Sequence, residues 1–349
     1  MRRVLALLIL AAGPVLANDG FGGLSATGLT FGQTEAVVME EEDLFLSVEQ
    51  VRVAYVFRNR TAEDVTGEVI FPLPPVSVGG QIESAWNLPE DRAQENLVSF
   101  TATVDGTPIA VTQDRIAVIE PPWDEARPLA AAYDTPGRDV TADLKRLGLP
   151  LTTDGLAAAK AMLAMGEGAR AEVVALGLGD FYSYEGETGP QTDAYPYWSI
   201  VLRYHWTQTF PAGARVRIAH DYANLPPGGL FTWEDPPQES YHADEQARYC
   251  IDAGTSKAIA KAIRYEDAGE TYYMGMAWNI SYVLRTANSW AGPIGKFRLT
   301  LDKGAPGNVI SLCADGVRKT GPTTFVVNKT NYSPEKDLEI LVVKAMERN

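Results

Sequence analysis

Val51-Arg52-Val53-Ala54-Tyr55-Val56-Phe57-Arg58-Asn59 alternates large apolar side chains with polar or small ones, so Val51, Val53, Tyr55 and Phe57 share one face and Arg52, Ala54 and Arg58 the other. A period of two is that of a strand with one buried face. The runs 44–46 and 65–71 are similarly rich in Val, Phe and Leu, and the polar stretch Asn59-Arg60-Thr61-Ala62-Glu63-Asp64 makes a turn before the second of them. That run ends in Phe71-Pro72-Leu73-Pro74-Pro75, where prolines lack the N–H that a central ladder needs. Residues 98–104, the pair Asp105-Gly106 and residues 109–111 read as a hairpin, because Asp-Gly favours the positive φ of a two-residue turn. An antiparallel β-sandwich of immunoglobulin-like size is expected over residues 18–125.

From residue 126 to about 180 the composition shifts to Ala, Leu and Gly with helical spacing, and Thr141 and Thr153 or Asp154 are the expected N-caps. The Leu156, Met162 and Leu163 stripe is read as packing against a sheet. Strand-like runs return from residue 181 to the end at 349, with a short helix expected near 256–264, capped by Thr255. The fold class is therefore mainly β: two antiparallel β-sandwich-like domains with a small helical insertion between them. A two-residue turn at Ala212-Gly213 would set His205 opposite His220, each seven residues from it.

Arg2 and Arg3, an apolar run through Ala12 and the ending Val15-Leu16-Ala17 have the form of a cleavable signal peptide over residues 1–17. Gly13 and Pro14 cut that run well short of the roughly 20 apolar residues of a span. Export from a Gram-negative cytoplasm is expected, to the periplasm or beyond, with no membrane span in the mature chain. Losing the two arginines would take the net charge from −15 to −17, a field that repels phosphate backbones. Nucleic acid is thus a poor partner. Cys250 and Cys313 are expected to pair, since an exported chain meets an oxidising compartment and neither cysteine carries metal-site spacing.

Asn18-Asp19-Gly20, Glu41-Glu42-Asp43-Leu44, the strand 51–59 and Phe71-Pro72-Leu73-Pro74 occur in that order. Farther on come Phe210-Pro211-Ala212-Gly213, His220-Asp221-Tyr222, Gly292-Pro293-Ile294 and Ser311-Leu312-Cys313. With these the chain resembles the exported bacterial family called domain of unknown function 4424 over nearly its whole mature length, which implies secretion and no particular activity. The strand, Arg-Asn turn, strand and Phe-Pro-Leu-Pro order is also similar to the opening of vault and inter-alpha-trypsin-inhibitor type β-sandwich domains.

No zinc, Walker, dinucleotide or serine-hydrolase motif accompanies the three histidines or the glycines, and no cofactor or metal is expected. His205 with His220 would be the pair for a hydrolase or, with His242, Asp244 and Glu245 supplying further ligands, for a metal site; the competing reading is a cross-strand pair facing solvent. The run Glu40-Glu41-Glu42-Asp43 lacks the spacing of a calcium loop. Aromatic residues are the stronger signal. Twenty of the thirty-three Phe, Tyr and Trp fall between Phe181 and Trp290, and those in Pro- or Gly-bounded stretches are the candidates for exposure. Tyr195, Tyr197, Trp198 and Trp233 are accordingly the expected contacts to a protein or glycan of the cell envelope. A binding module is favoured over an envelope hydrolase or a purely structural component.

Overall fold

The computed structural model describes residues 20–25, 28–73, 75–83, 89–92, 94–122, 136–186, 189–238 and 241–345. The expected signal peptide, 1–17, and the start of the expected helical segment, 126–135, lie outside the described residues.

The fold is mainly β. The decisive stretch forms the strand Gln50–Asn59, with Val51, Val53, Tyr55 and Phe57 buried and Arg52, Ala54 and Arg58 exposed. It sits in an eight-stranded sheet whose order is Arg318–Lys319, Thr324–Tyr332, Ile294–Asp302, Val37–Ser47, Gln50–Asn59, Arg215–Ala223, Thr101–Val104 and Thr107–Pro108. Neighbours are antiparallel except for Ile294–Asp302 beside Val37–Ser47. A seven-stranded sheet runs Arg138–Asp139, Thr112–Ile119, Ser199–Phe210, Val65–Pro72, Gly20–Ser25 and Gly28–Phe31, with Val76–Ser77 also on Ser199–Phe210.

Aromatic rings lock these two sheets face to face: Phe57 meets Phe210 at 5.7 Å, Phe71 meets His220 at 4.8 Å, and Phe100 stacks on Tyr204 at 4.4 Å. This is a sandwich-like arrangement. A third sheet orders Gly228–Thr232, Glu270–Tyr282, Leu338–Ala345 and Val309–Leu312. Alternate residues of its strand Leu338–Ala345 face opposite ways. Ile340 and Val342 join the main core, while Leu341 and Val343 pack with Trp233, Ile259 and Ile263 beneath the helix Ala253–Ile263.

Strand pairing crosses the limit expected at 180/181. Ser199–Phe210 lies between Val65–Pro72 and Thr112–Ile119, and Arg215–Ala223 lies between Gln50–Asn59 and Thr101–Val104. Both halves of the chain therefore build the same layers. The corner at Pro211–Ala214 passes the chain from one sheet to the other, as the turn 59–64 does beside it. The two corners are tied by Asn59 Nδ2 donating to Phe210 O at 2.8 Å and by Ala212 N–H donating to the Asp64 carboxylate at 2.8 Å. For this reason His205 and His220 stand in different sheets, and the expected cross-strand pair does not form.

Three helices, Thr141–Arg146, Gly155–Leu163 and Glu167–Ala175, occupy the expected helical segment. Asp154 caps the second by accepting from Ala157 N–H at 3.1 Å; Thr141 lies inside the first, behind Val140. Asp252, not Thr255, caps Ala253–Ile263, accepting from the N–H of Thr255 at 2.7 Å. Cys250 and Cys313 form a disulfide that ties the end of the helix Tyr241–Tyr249 to the strand Val309–Leu312.

Candidate functional site

A hairpin ribbon of two strands, Gly179–Gly186 and Gly189–Pro196, stands apart from the three large sheets. Its register pairs Asp180 with Tyr195, Tyr182 with Asp193 and Tyr184 with Gln191. Directly opposed residues share a face and alternate positions repeat it, so three tyrosines, two carboxylates and an amide lie on one side. Tyr184 donates to Gln191 Oε1 at 3.0 Å. On the other side the hydroxyls of Ser183 and Thr192 meet at 3.1 Å.

The helix Gly155–Leu163 packs on the strand Gly189–Pro196, burying Ala158 and Met162. A Cβ at Gly179 would lie 2.7 Å from Met162 Cε and 2.5 Å from the Tyr195 carbonyl oxygen. Only a glycine permits that approach. A Cβ at Gly79 would fall 2.5 Å from Tyr195 Cε1, so the Tyr195 ring rests directly on the backbone of the turn before Gly80–Glu83. Tyr197 follows the ribbon, its N–H donating to Leu178 O at 2.9 Å and its phenol oxygen 3.1 Å from that of Tyr182.

Between helix and ribbon opens a groove of about 760 Å³, lined chiefly by Ile82, Leu156, Lys160, Tyr182, Tyr195 and Tyr197. The hydrogen bond with Tyr182, and then burial, push the Tyr197 phenol up to about 12. Hydrogen bonding to Asp193, and then burial, also raise Tyr184. Both therefore present neutral phenol hydroxyls at neutral pH. Leu156 is 69% exposed, although an apolar residue beside a helix start is usually turned inward; the reading of Leu156 as sheet packing is corrected accordingly.

Two of the four expected contacts, Tyr195 and Tyr197, line this groove, whereas Trp198 and Trp233 do not. Trp198 is fully buried in the main core. Trp233 is fully buried in the smaller core, its indole N–H donating to Ser256 Oγ at 3.0 Å and its ring stacked on Phe231 at 6.0 Å. Neither tryptophan presents a ring to a ligand, and both are corrected to core residues. Tyr182 and Ile82 are groove residues that the sequence reading did not single out, and Leu156 is one it assigned to packing.

All three histidines are buried. His205 Nδ1 lies 2.9 Å from Glu68 Oε2, with Thr207 donating to the other carboxylate oxygen. His220 sits among Tyr55, Phe71, Phe100 and Tyr222, and His242 Nε2 lies 3.1 Å from Thr232 O. Among the described residues no group of three or more His, Cys, Asp or Glu is placed to hold a metal ion. The acidic run is spread along a strand: Glu40 pairs with Arg58 and Arg215, Glu41 with Lys296, and Glu42 is buried.

No curated protein matches the sequence. Among solved structures the chain is similar to a candidate nutrient binding protein from Legionella pneumophila subsp. pneumophila str. Philadelphia 1, with 16% identity and a TM-score of 0.41 over 93% of this chain and 72% of that one. The family model for domain of unknown function 4424 (DUF4424) matches residues 17–341, and the chain belongs to that family.

Proposed function

We propose that this is an exported envelope protein that acts as a non-catalytic binding module, taking a segment of another protein into the groove between the helix Gly155–Leu163 and the tyrosine ribbon. One observation carries the reading. Of the eight large apolar side chains exposed among the described residues, four (Ile82, Leu156, Tyr182 and Tyr197) line this single groove. Scattered exposed apolar residues need no explanation, but a contiguous set beside a few polar groups is the usual make-up of a binding surface. Aliphatic Ile82 and Leu156 next to three phenols suit apolar side chains of a polypeptide better than the uniformly hydroxylated face of a sugar chain. Tyrosine also supplies broad contact area at low entropic cost and is enriched where binding energy concentrates.

Export is supported by the disulfide, which belongs to an oxidising compartment, and by the form of residues 1–17. No helix among the described residues is long and apolar enough to cross a membrane. The test is calorimetric titration of the protein with envelope extract separated into protein and glycan pools, using wild type and Leu156→Glu. Saturable binding of the protein pool that Leu156→Glu abolishes supports the reading. Binding confined to the glycan pool contradicts the assigned ligand class.

A further inference from the structure

A second cavity, of about 1120 Å³, lies where the end of the strand Val37–Ser47, the loop after Ile294–Asp302 and the helix Ala253–Ile263 meet, and the groove reading makes no use of it. Its lining reverses the charge balance of the chain. Lys261, Lys303 and Lys344 face it against only two carboxylates, Glu49 and Asp302, whereas the whole chain carries a net −15. Asp302 is already engaged, accepting from Gly304 N–H at 2.9 Å. A fourth cation stands at the edge: the Arg52 guanidinium lies over the ring of Phe45, a lining residue, 4.2 Å from its centroid. Neither Arg52 nor Lys261 enters an ion pair among the described residues.

The cavity is also shaped before any ligand arrives. Buried Lys303 donates to Pro306 O at 2.8 Å and to Asn308 O, and Asn308 Nδ2 donates back to Lys303 O at 2.6 Å, which fixes the loop wall. Burial, and then the charge of Lys319, lower the pKa of Lys303, whose ammonium is held by the loop carbonyls. Trp278 is half-buried in the wall. A Cβ at Gly228 would lie 2.7 Å from Trp278 Cδ1, so the glycine leaves space for the indole, and Lys344 Nζ is 5.3 Å from the ring centroid.

We propose that this cavity binds a small organic anion, a carboxylate or phosphate carried on a sugar-like ring, with the ring against Trp278 and the anionic group drawn to Lys261 and Lys344. The cavity admits a ligand of that size with room to spare, charge-assisted hydrogen bonds to ammonium groups are the strong kind, and a prebuilt wall lowers the ordering cost of binding. The site is separate from the groove and stands or falls independently of it.

Calorimetry on the full chain at low salt, with glucuronate, glucose phosphate, inorganic phosphate and uncharged glucose as probes, tests the assignment. Glucuronate or glucose phosphate should bind and glucose should not; which of the two binds distinguishes carboxylate from phosphate. Lys261→Ala with Lys344→Ala should weaken binding by about tenfold or more, and Lys261→Glu, at an exposed position, should do the same should the double variant fold poorly. Trp278→Leu should weaken the ring anions while leaving any inorganic phosphate binding unchanged. Equal binding of glucose, no binding of either ring anion at about 10 mM, or full affinity in a folded Lys261→Glu variant would overturn the proposal.

Discussion

The phenol oxygens of Tyr182 and Tyr197 lie 3.1 Å apart and join the ribbon to the segment that leaves it. This contact is the first cause of the raised Tyr197 pKa, about 12 against an ordinary 10.0. Tyr182→Phe removes it without emptying the groove of an aromatic ring. The Tyr197 pKa should then fall back toward 10.0, as read by pH titration of the tyrosine ring carbons by NMR. An unchanged value would mean that burial and the neighbouring Asp180 and Tyr195 set it.

Tyr204 and Tyr249, like Tyr197, are raised to about 12, in their case chiefly by burial. In each the folded pKa lies above the unfolded value near 10. The stability these neutral phenols contribute is fully present below about pH 10 and is lost as pH rises toward 12. The thermal midpoint should be insensitive to these groups up to about pH 10 and fall steeply above it. In Tyr204→Phe the fall should be shallower.

Trp198 and Trp233 belong to stability and not to ligand contact. Trp233→Ala and Trp198→Ala should each cost about 3–5 kcal/mol in denaturant unfolding, the range for removing a large buried aromatic. Trp233→Phe keeps the stack on Phe231 while leaving Ser256 Oγ without the indole donor, so it should cost less and leave groove binding intact. Selective loss of binding in folded Trp233→Phe would reverse this assignment.

Breaking the Cys250–Cys313 bridge frees a loop with a sequence separation of 63 residues. On a chain-entropy account the loss is about 4 kcal/mol. Urea unfolding of a Cys250→Ser, Cys313→Ser protein should show a midpoint lower by a corresponding amount, and reductant should move the wild type toward it but not the variant.

Local signals in the sequence carried much of the fold. The alternation from Val51 to Phe57, the Asp105-Gly106 turn with both residues at positive φ, and Asp154 as a helix cap depend on neighbours in the chain, and each forms as its chemistry dictates, although the arms of that hairpin are Thr101–Val104 and Thr107–Pro108 and not 98–104 and 109–111. What the sequence did not reveal is non-local. Placing Ser199–Phe210 against Val65–Pro72 needs contacts more than a hundred residues apart, and Ala212-Gly213 has the look of a hairpin turn although its strands part into different sheets. Within Tyr195-Pro196-Tyr197-Trp198 the aromatic run drew all three rings into the expected site, but parity divides them: Tyr195 and Tyr197 reach the groove, while Trp198, one step on, turns into the core. Tyr182 had no such signal, because its place beside Tyr197 follows from the ribbon register and from an approach that Gly179 allows.

The most direct test of the groove as a polypeptide site places a photoreactive phenylalanine analogue at Leu156 and, in a second protein, at Leu230, the next most exposed of the large apolar residues at 65% but outside the groove. After irradiation in intact cells, the account predicts a discrete protein adduct from position 156 that disappears when Tyr197→Ala is added, and none from position 230. Equal, diffuse labelling from both positions, or no adduct from either, would contradict it.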